Sequence, residues 1–92
     1  MRTIIVWNEQ TDYAREVREW LDEFKRAVGE GKIESLDPET RKGSDFAETY
    51  DIVEYPSILA LDDSGKILEM WRGTPLPQVE QVSYWSSSAV AG

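Results

Sequence analysis

The amino-terminal part of the chain begins with a continuous apolar run. Residues 3–7 are β-branched or aromatic without interruption, whereas a strand with one solvent-exposed face would alternate apolar and polar side chains. A continuous run is typical of a strand that is covered on both faces. The pattern therefore predicts a strand inside a sheet with helices on both sides.

A helical pattern follows this strand. Large apolar side chains recur every three or four residues, and charged side chains occupy most of the positions between them. Gly29 and Gly31 predict where the helix ends. The apolar stripe of this predicted helix consists of Tyr13, Val17, Trp20, Leu21, Phe24 and Val28.

The middle of the chain predicts a short strand and a short helix. Ile33 and Leu36 indicate a strand of about five residues, which Asp37-Pro38 would close. A helix through Tyr50 should follow, and Ser44 or Asp45 is the type of residue that caps a helix.

The carboxyl-terminal part predicts a hairpin and a last helix. Two apolar strands, Ser57–Leu61 and residues 67–71, flank the turn Asp62-Asp63-Ser64-Gly65, in which glycine supplies the positive φ. Thr74-Pro75 is typical of a helix start. The buried stripe of the last helix would be Val79, Val82 and Trp85.

The predicted order is therefore β-α-β-α-β-β-α in one domain, residues 1–86, followed by a flexible tail at residues 87–92. Helical connections between the first three strands predict that these strands are parallel. The Tyr55-Pro56 pair before a buried strand, the hairpin and Gly73 together resemble the second half of a thioredoxin or glutaredoxin. The resemblance implies an α/β fold, a three-layer α/β/α sandwich with a mixed four-stranded sheet, and a cis bond before Pro56.

The chain contains neither cysteine nor histidine. In the family that it resembles, a CxxC motif lies at the start of the first helix, because the helix amino terminus stabilises a thiolate. The corresponding residues here would be Asp12 to Arg15, or those one position earlier. A hydroxyl nucleophile would need an adjacent base. We therefore predict no catalytic residue and no thiol-disulfide oxidoreductase activity.

Tyr55-Pro56 is the best candidate for a binding site. The resemblance implies that a cis Pro56 exposes the main chain of Tyr55 beside the first helix, where the family pairs with extended peptides. Strand addition of this kind needs no catalytic side chain. The alternative is that these residues are structural: Pro56 would shape the strand entry, Thr11 and Asp12 would cap the helix, and Tyr13 would belong to the core. The candidate groove consists of Trp7, Asn8, Glu9, Gln10, Thr11, Asp12, Tyr13, Tyr55 and Pro56. We expect the rings of Trp7, Tyr13 and Tyr55 to be partly exposed on its rim.

The charge of the chain narrows the range of partners. Eighteen acidic residues and ten basic residues give a net charge of -8. Such a surface repels nucleic acid and anionic membranes. No apolar segment approaches the roughly 20 residues of a membrane helix, and no signal peptide is evident. We therefore expect a cytoplasmic protein without nucleic-acid or membrane partners.

The acidic residues predict no metal or cofactor site. Their spacing matches no calcium loop, and the usual ligands of zinc and other transition metals are missing. We interpret them as a solvated surface. The carboxylates considered were Glu9, Asp12, Asp37, Glu39, Asp45, Asp51, Asp62 and Asp63.

Three functions stay open at this stage. The first is a redox-inactive domain that binds a protein or peptide beside Pro56. The second is a protein that binds glutathione or another small thiol through Tyr13, Thr11 and the main chain of Tyr55, since glutathione transferases share the implied fold and use a tyrosine or serine hydroxyl in this region. These transferases also have a helical domain that is missing here. The third is a structural subunit that docks through its acidic surface or its last helix.

Overall fold

The computed structural model describes the backbone of residues 2–91 and the side chains of residues 2–85. Its elements follow the predicted order β-α-β-α-β-β-α, so the α/β fold class is confirmed. The elements are β1 (Arg2–Val6), α1 (Ala14–Val28), β2 (Glu34–Leu36), α2 (Arg41–Thr49), β3 (Ser57–Leu61), β4 (Ile67–Arg72) and α3 (Val79–Ala91).

The four strands form one mixed sheet in the order β2-β1-β3-β4. β3 lies inside the sheet, as expected for an apolar run. The prediction that the first three strands are parallel is wrong, because β1 is parallel to β2 but antiparallel to β3. Val6 pairs with Leu36 on one side and with Ser57 on the other. The connection through α2 therefore begins and ends at the same end of the sheet, and β3 has to run back along β1.

Two apolar clusters cover the two faces of the sheet, which confirms the three-layer arrangement. Alternate side chains of β1 point to opposite faces, so Ile5 packs with α1 and α3 whereas Ile4 and Val6 pack against α2. We call these the α1/α3 core and the α2 core. The α1/α3 core also contains Val17, Trp20, Leu21, Phe24, Ile58, Val79 and Val82, and the α2 core contains Leu36, Ala47, Ile52, Leu59 and Leu61.

The helix α2 begins earlier than predicted. Its cap is Thr40, whose hydroxyl accepts a hydrogen bond from the Gly43 amide at 3.1 Å, and not Ser44 or Asp45. The Thr40 hydroxyl also donates to the Asp37 carbonyl at 2.7 Å. The turn after β2 thus fixes the start of the helix, and the apolar pattern around residue 46 is too short to reveal it.

The helix α3 begins later than the predicted Thr74-Pro75 start. The Thr74–Pro75 bond is cis, and residues 74–78 form an irregular segment before the helix. The Trp20 indole donates to the Pro77 carbonyl at 2.8 Å, which attaches this segment to α1. At its other end, α3 continues to Ala91 and covers most of the segment for which the sequence predicts a tail. The domain boundary at residue 86 stays a prediction, and Gly92 lies outside the described residues.

Candidate functional site

Four connecting segments meet at one end of the sheet. Val6, Leu36, Ser57 and Arg72 lie side by side in neighbouring strands, so the chain leaves or enters the sheet here at residues 7–13, 37–40, 50–56 and 73–78. The Gly73 amide donates to the Pro56 carbonyl at 2.7 Å and joins two of these segments. We call this region the loop end of the sheet. It contains every residue of the candidate groove, although the Trp7 side chain is buried in the core.

Trp7 is buried, with 6% of its surface exposed, so our expectation that its ring lies on the rim is wrong. It packs in the α1/α3 core, and its indole N–H donates to the Ser35 hydroxyl at 2.6 Å. The Arg18 guanidinium lies 5.9 Å from the ring centroid. Trp7 directly follows β1 and lies two positions after Ile5, so its side chain points to the same face as Ile5 and enters the core.

Asn8 organises the segment before α1. Its side-chain oxygen accepts from the Gln10 amide at 2.7 Å, and its side-chain nitrogen donates to Glu39 at 2.7 Å. Thr11 does not cap the helix, since its hydroxyl donates to the Asn8 carbonyl at 2.7 Å. The N-cap position is Tyr13, with no side-chain cap. Glu9, Gln10 and Asp12 are exposed and form a polar border.

The two tyrosines of the candidate groove are half-buried, and they contact different cores. Tyr13 packs on the α1/α3 core and its hydroxyl accepts from the Asn8 amide at 3.1 Å. Tyr55 packs on the α2 core and its hydroxyl donates to the Ile52 carbonyl at 3.3 Å. The rings therefore lie on opposite faces of the sheet. A groove bordered by both would cross the loop end, and that joint groove stays a prediction.

The segment before Pro56 has an inward and an outward side. The Tyr55–Pro56 bond is cis. On the inward side, the Tyr55 hydroxyl and the Ser57 hydroxyl bind the carbonyls of Ile52 and Glu54. The main-chain groups of Val53 and Tyr55 have no hydrogen-bond partner among the described residues. The carbonyls of residues 52, 54 and 56 are thus bound, whereas those of residues 53 and 55 are open.

Val53 is the residue that sequence reasoning missed. Its side chain is 86% exposed, the largest exposed fraction among the large apolar side chains of the described part of the chain. The sequence shows only an apolar pair, Ile52-Val53, and Ile52 is the member that enters the α2 core. If successive side chains alternate in direction here, as they do in a strand, the burial of Ile52 predicts that Val53 points outward.

Glu54 lies against Gly73. Gly73 has φ of 72°, and a Cβ at this position would collide with the Glu54 carboxylate and lie 3.2 Å from its carboxyl carbon. A glycine at residue 73 therefore serves two needs at once, a left-handed backbone and space for the Glu54 side chain. The loop before Pro56 is thereby packed against the end of β4.

Thiol and imidazole chemistry are both excluded at the loop end. No thiol or imidazole exists in the chain. Among the residues that the structure describes, no three acidic side chains come close enough together to hold a metal ion. In the same part of the chain, no helix has the length and apolar character needed to cross a bilayer. What the site offers is open main chain, one exposed apolar side chain and a border of carboxylates.

No protein-family model and no curated protein sequence matches the chain. Solved structures with the same architecture include thioredoxin 1 from Thermosipho africanus TCF52B (TM-score 0.68, 10% identity, 99% of this chain and 96% of that one). StoA from Bacillus subtilis is also similar (TM-score 0.67, 13% identity, 92% and 81% of the two chains). So is a designed protein (TM-score 0.63, 15% identity, 99% and 77%). Identities this low establish the fold and nothing about activity.

Proposed function

We propose that this thioredoxin-like domain, which has no cysteine, binds an extended peptide or protein segment beside Pro56 and does not catalyse thiol exchange. The observation that carries the proposal is the open main chain of Val53 and Tyr55 next to a half-buried ring. A peptide in extended conformation matches such a row of donors and acceptors, as it does at the edge of a sheet. Thiol exchange requires an attacking thiolate, so the complex would be non-covalent.

The inward hydrogen bonds support this assignment. Because hydroxyls already bind the carbonyls of Ile52 and Glu54, the segment is held in a fixed shape before any partner arrives. A preformed segment loses less conformational entropy on binding. Each main-chain hydrogen bond to a partner would add about 0.5–1.5 kcal/mol net.

Val53 gives the proposed site an apolar contact. An isolated apolar side chain on a surface is common and by itself indicates nothing. Here it stands on the same segment as the open main chain, two residues from the ring of Tyr55. A partner side chain that covers Val53 would remove most of its exposed surface from water, worth about 1–2.5 kcal/mol by area.

The test uses a random peptide library selected on the immobilised protein, followed by titration of the selected peptides against isotope-labelled protein. We expect the amide signals of Val53 and Tyr55 to shift and their hydrogen exchange to slow. Val53→Ala should weaken binding, and the matched control is Ile67→Ala. Ile67 is also exposed, at 38%, but lies at the opposite end of the sheet, where it pairs with Leu61.

Val53→Ala is informative because substitutions at exposed positions usually change the free energy of unfolding by no more than about 0.5 kcal/mol. A loss of binding then reports a direct contact and not a damaged fold. Selected peptides that leave residues 53–55 unperturbed, or that bind Val53→Ala and the unchanged protein equally, would show that the partner site lies elsewhere.

The same titration distinguishes the second candidate, a small thiol ligand such as glutathione. The observation that keeps it open is the half-buried hydroxyl of Tyr13 at the start of α1. That hydroxyl already accepts a hydrogen bond from Asn8, and the chain has no histidine to act as a base. Reduced glutathione at up to about 1 mM, the weak end of specific binding, should shift the Tyr13 region if this candidate is right.

A further inference from the structure

We infer that the strand β4 pairs with β4 of a second copy of this chain, so that two sheets join edge to edge in a symmetric dimer. β4 is the last strand in the order β2-β1-β3-β4, so one of its sides has no neighbouring strand. It is exposed or half-buried at every position, whereas β3 beside it is buried throughout. An edge of this kind presents unpaired main-chain groups on which another strand can pair. The inference does not depend on the peptide site beside Pro56.

The hydrogen bonds identify the residues whose main chain faces the open side of β4. The Gly73 amide donates to the Pro56 carbonyl at 2.7 Å, so the main chain of residue 73 faces β3. In an antiparallel pair, the main chains of successive residues face the neighbouring strand and the open side in turn. Trp71 therefore faces β3 as well, and Met70 and Arg72 face outward. The N–H and C=O of Arg72 and the C=O of Met70 have no hydrogen-bond partner among the described residues.

The Met70 amide has a partner, and this partner lies on the open side. The amide donates to the Glu69 carboxylate at 3.1 Å, which agrees with the outward direction of the Met70 main chain. Glu69 is exposed, so its side chain can rotate away from the edge. The carboxylate therefore competes with a second strand for this amide and does not block the edge permanently.

The sequence of β4 is complementary to itself in one antiparallel register. Both outward residues of each copy find a main-chain partner when Met70 lies opposite Arg72 of the second copy. This register sets the two Trp71 residues opposite each other at the symmetry axis, and it places no two like charges directly opposite each other. A shift that set Arg72 opposite Arg72 would destabilise the pair. The pairing is thus the same in both directions, as a two-fold dimer requires.

Trp71 gives this dimer an apolar centre. Its ring is half-buried and packs against the α1/α3 core. At the axis, the two Trp71 residues form a pair without hydrogen bonds, in which opposite Cα atoms are only about 4.5 Å apart. The two rings would then contact each other, and aromatic pairs of this kind stabilise neighbouring strands.

The short ladder and the net charge determine the strength of the dimer. The ladder spans only residues 70–72, because Leu68 interrupts the regular register of β4 and Pro75 has no N–H. Such a contact belongs to the weak interfaces, which bury less than about 1,200 Å². Each copy carries a net charge of -8, which opposes association and is screened by salt. We therefore expect a weak dimer that becomes stronger as the salt concentration rises.

The experiment is sedimentation equilibrium of the whole chain at up to about 1 mM protein, a concentration at which weak association is measurable. It is carried out in about 50 mM and about 500 mM NaCl, which differ strongly in screening. The apparent mass should rise with concentration from that of one chain toward that of two, and it should rise further at high salt. In isotope-labelled protein, the amides of Met70 and Arg72 should shift in step with the apparent mass.

The variant Arg72→Pro tests the outward main chain directly. Proline removes an N–H that β3 does not use, and it is tolerated at such positions of an edge strand. Each dimer loses two hydrogen bonds, so dimerisation should weaken about 5- to 150-fold. The matched control is Arg72→Ala, which makes the same change of charge and keeps the N–H, and its dimer should be weakened much less.

The variant Glu69→Ala tests the competing carboxylate. It frees the Met70 amide, so dimerisation should strengthen at least about 2-fold, the equivalent of the weakest typical hydrogen bond. The matched control is Glu30→Ala, which makes the same change of net charge in an exposed residue just before β2, at the other edge of the sheet. The control should strengthen dimerisation less than Glu69→Ala does.

The outcomes that would overturn the inference are distinct. A protein that has the mass of one chain at every concentration and both salt concentrations does not form the dimer. A dimer that Arg72→Pro and Arg72→Ala weaken equally, or whose amide shifts lie outside residues 67–73, uses another surface. If Arg72→Pro does not fold, equal effects of Glu69→Ala and Glu30→Ala would likewise show that the edge of β4 is not the interface.

Discussion

Gly43→Ala gives the sharpest test of the fold, because helix propensity and steric packing predict opposite changes in the free energy of unfolding. Glycine inside a helix is about 1 kcal/mol less favourable than alanine, so the substitution would ordinarily stabilise the protein. In α2, however, a Cβ on Gly43 would overlap the Asp37 carbonyl oxygen and lie 3.1 Å from the Pro38 nitrogen. Both atoms belong to the backbone and cannot rotate away.

The expected loss in the free energy of unfolding follows from the groups that the new methyl group has to displace. Separating the new methyl group from Asp37 strains or breaks the hydrogen bonds between Thr40 and the Asp37 carbonyl, and the bond from Gly43 to Thr40. Overpacking typically costs about 1–3 kcal/mol, and a lost N-cap costs about 1 kcal/mol. After subtracting the propensity gain, we expect Gly43→Ala to lower the free energy of unfolding by about 1–3 kcal/mol.

The assay is urea unfolding followed by tryptophan fluorescence, with Gly31→Ala as the control. Gly31 also has a positive φ, 80°, but a Cβ there meets no atom within 4 Å. Gly31→Ala should therefore show only the backbone cost of about 1 kcal/mol. The amide of Asn8 should also shift in Gly43→Ala, since Asn8 is bonded to Glu39 in the displaced turn. A Gly43→Ala protein that is more stable than the unchanged one would refute this account of the turn.

Four further predictions test other parts of the structure. Trp7→Ala should lower the free energy of unfolding by about 3–5 kcal/mol in urea titrations, as for a buried aromatic residue, and a loss below about 1 kcal/mol would place the ring on the surface. Tyr55→Ala should cost about 1.5–3 kcal/mol because half of the ring is buried, whereas Tyr55→Phe loses only one long hydrogen bond and should cost less than about 1 kcal/mol. The hydroxyl of Ser64, with the Lys66 and Ser64 amides, holds the pKa of Asp62 below its ordinary value, so its contribution to stability is complete above about pH 4 and is lost as the pH falls further. Comparing the pH dependence of unfolding for Asp62→Asn, which cannot ionise, with that of the unchanged protein isolates this contribution. The purified protein should not reduce insulin disulfides, and turnover above the buffer rate would contradict the absence of thiol chemistry.

The order of elements could be predicted from the sequence because periodicity reports burial directly. The strands β1 and β3 are buried on both faces, and their continuous apolar runs predicted this. The direction of β3 could not be predicted in the same way, because a helix between two strands is compatible with either direction. What decides it is where α2 starts and ends, and this depends on the turn that Asp37, Thr40 and Gly43 form.

The sequence pattern also predicts only some of the single residues of the candidate site correctly. Composition excluded thiol chemistry, and the position of Pro56 marked the segment of chain that we propose as the binding site. Trp7 was expected on the rim and Val53 was not considered, because an aromatic residue at the end of a strand and a valine in a loop are each compatible with burial or exposure. The alternation of side chains along β1 places Trp7 in the core, and the burial of Ile52 leaves Val53 exposed.

Binding at the loop end and stability of the fold are largely separate in this domain. The groups proposed to meet a partner are the main chain of residues 53 and 55 and the side chain of Val53, and none of these is part of either core. The bonds that hold them in place come instead from Ser57, Tyr55 and Gly73, which are buried or half-buried. Substitutions in the first group should therefore change affinity without changing stability, whereas substitutions in the second group should change both. A domain with this division can alter its partner preference through exposed residues while its sheet and its two cores stay the same.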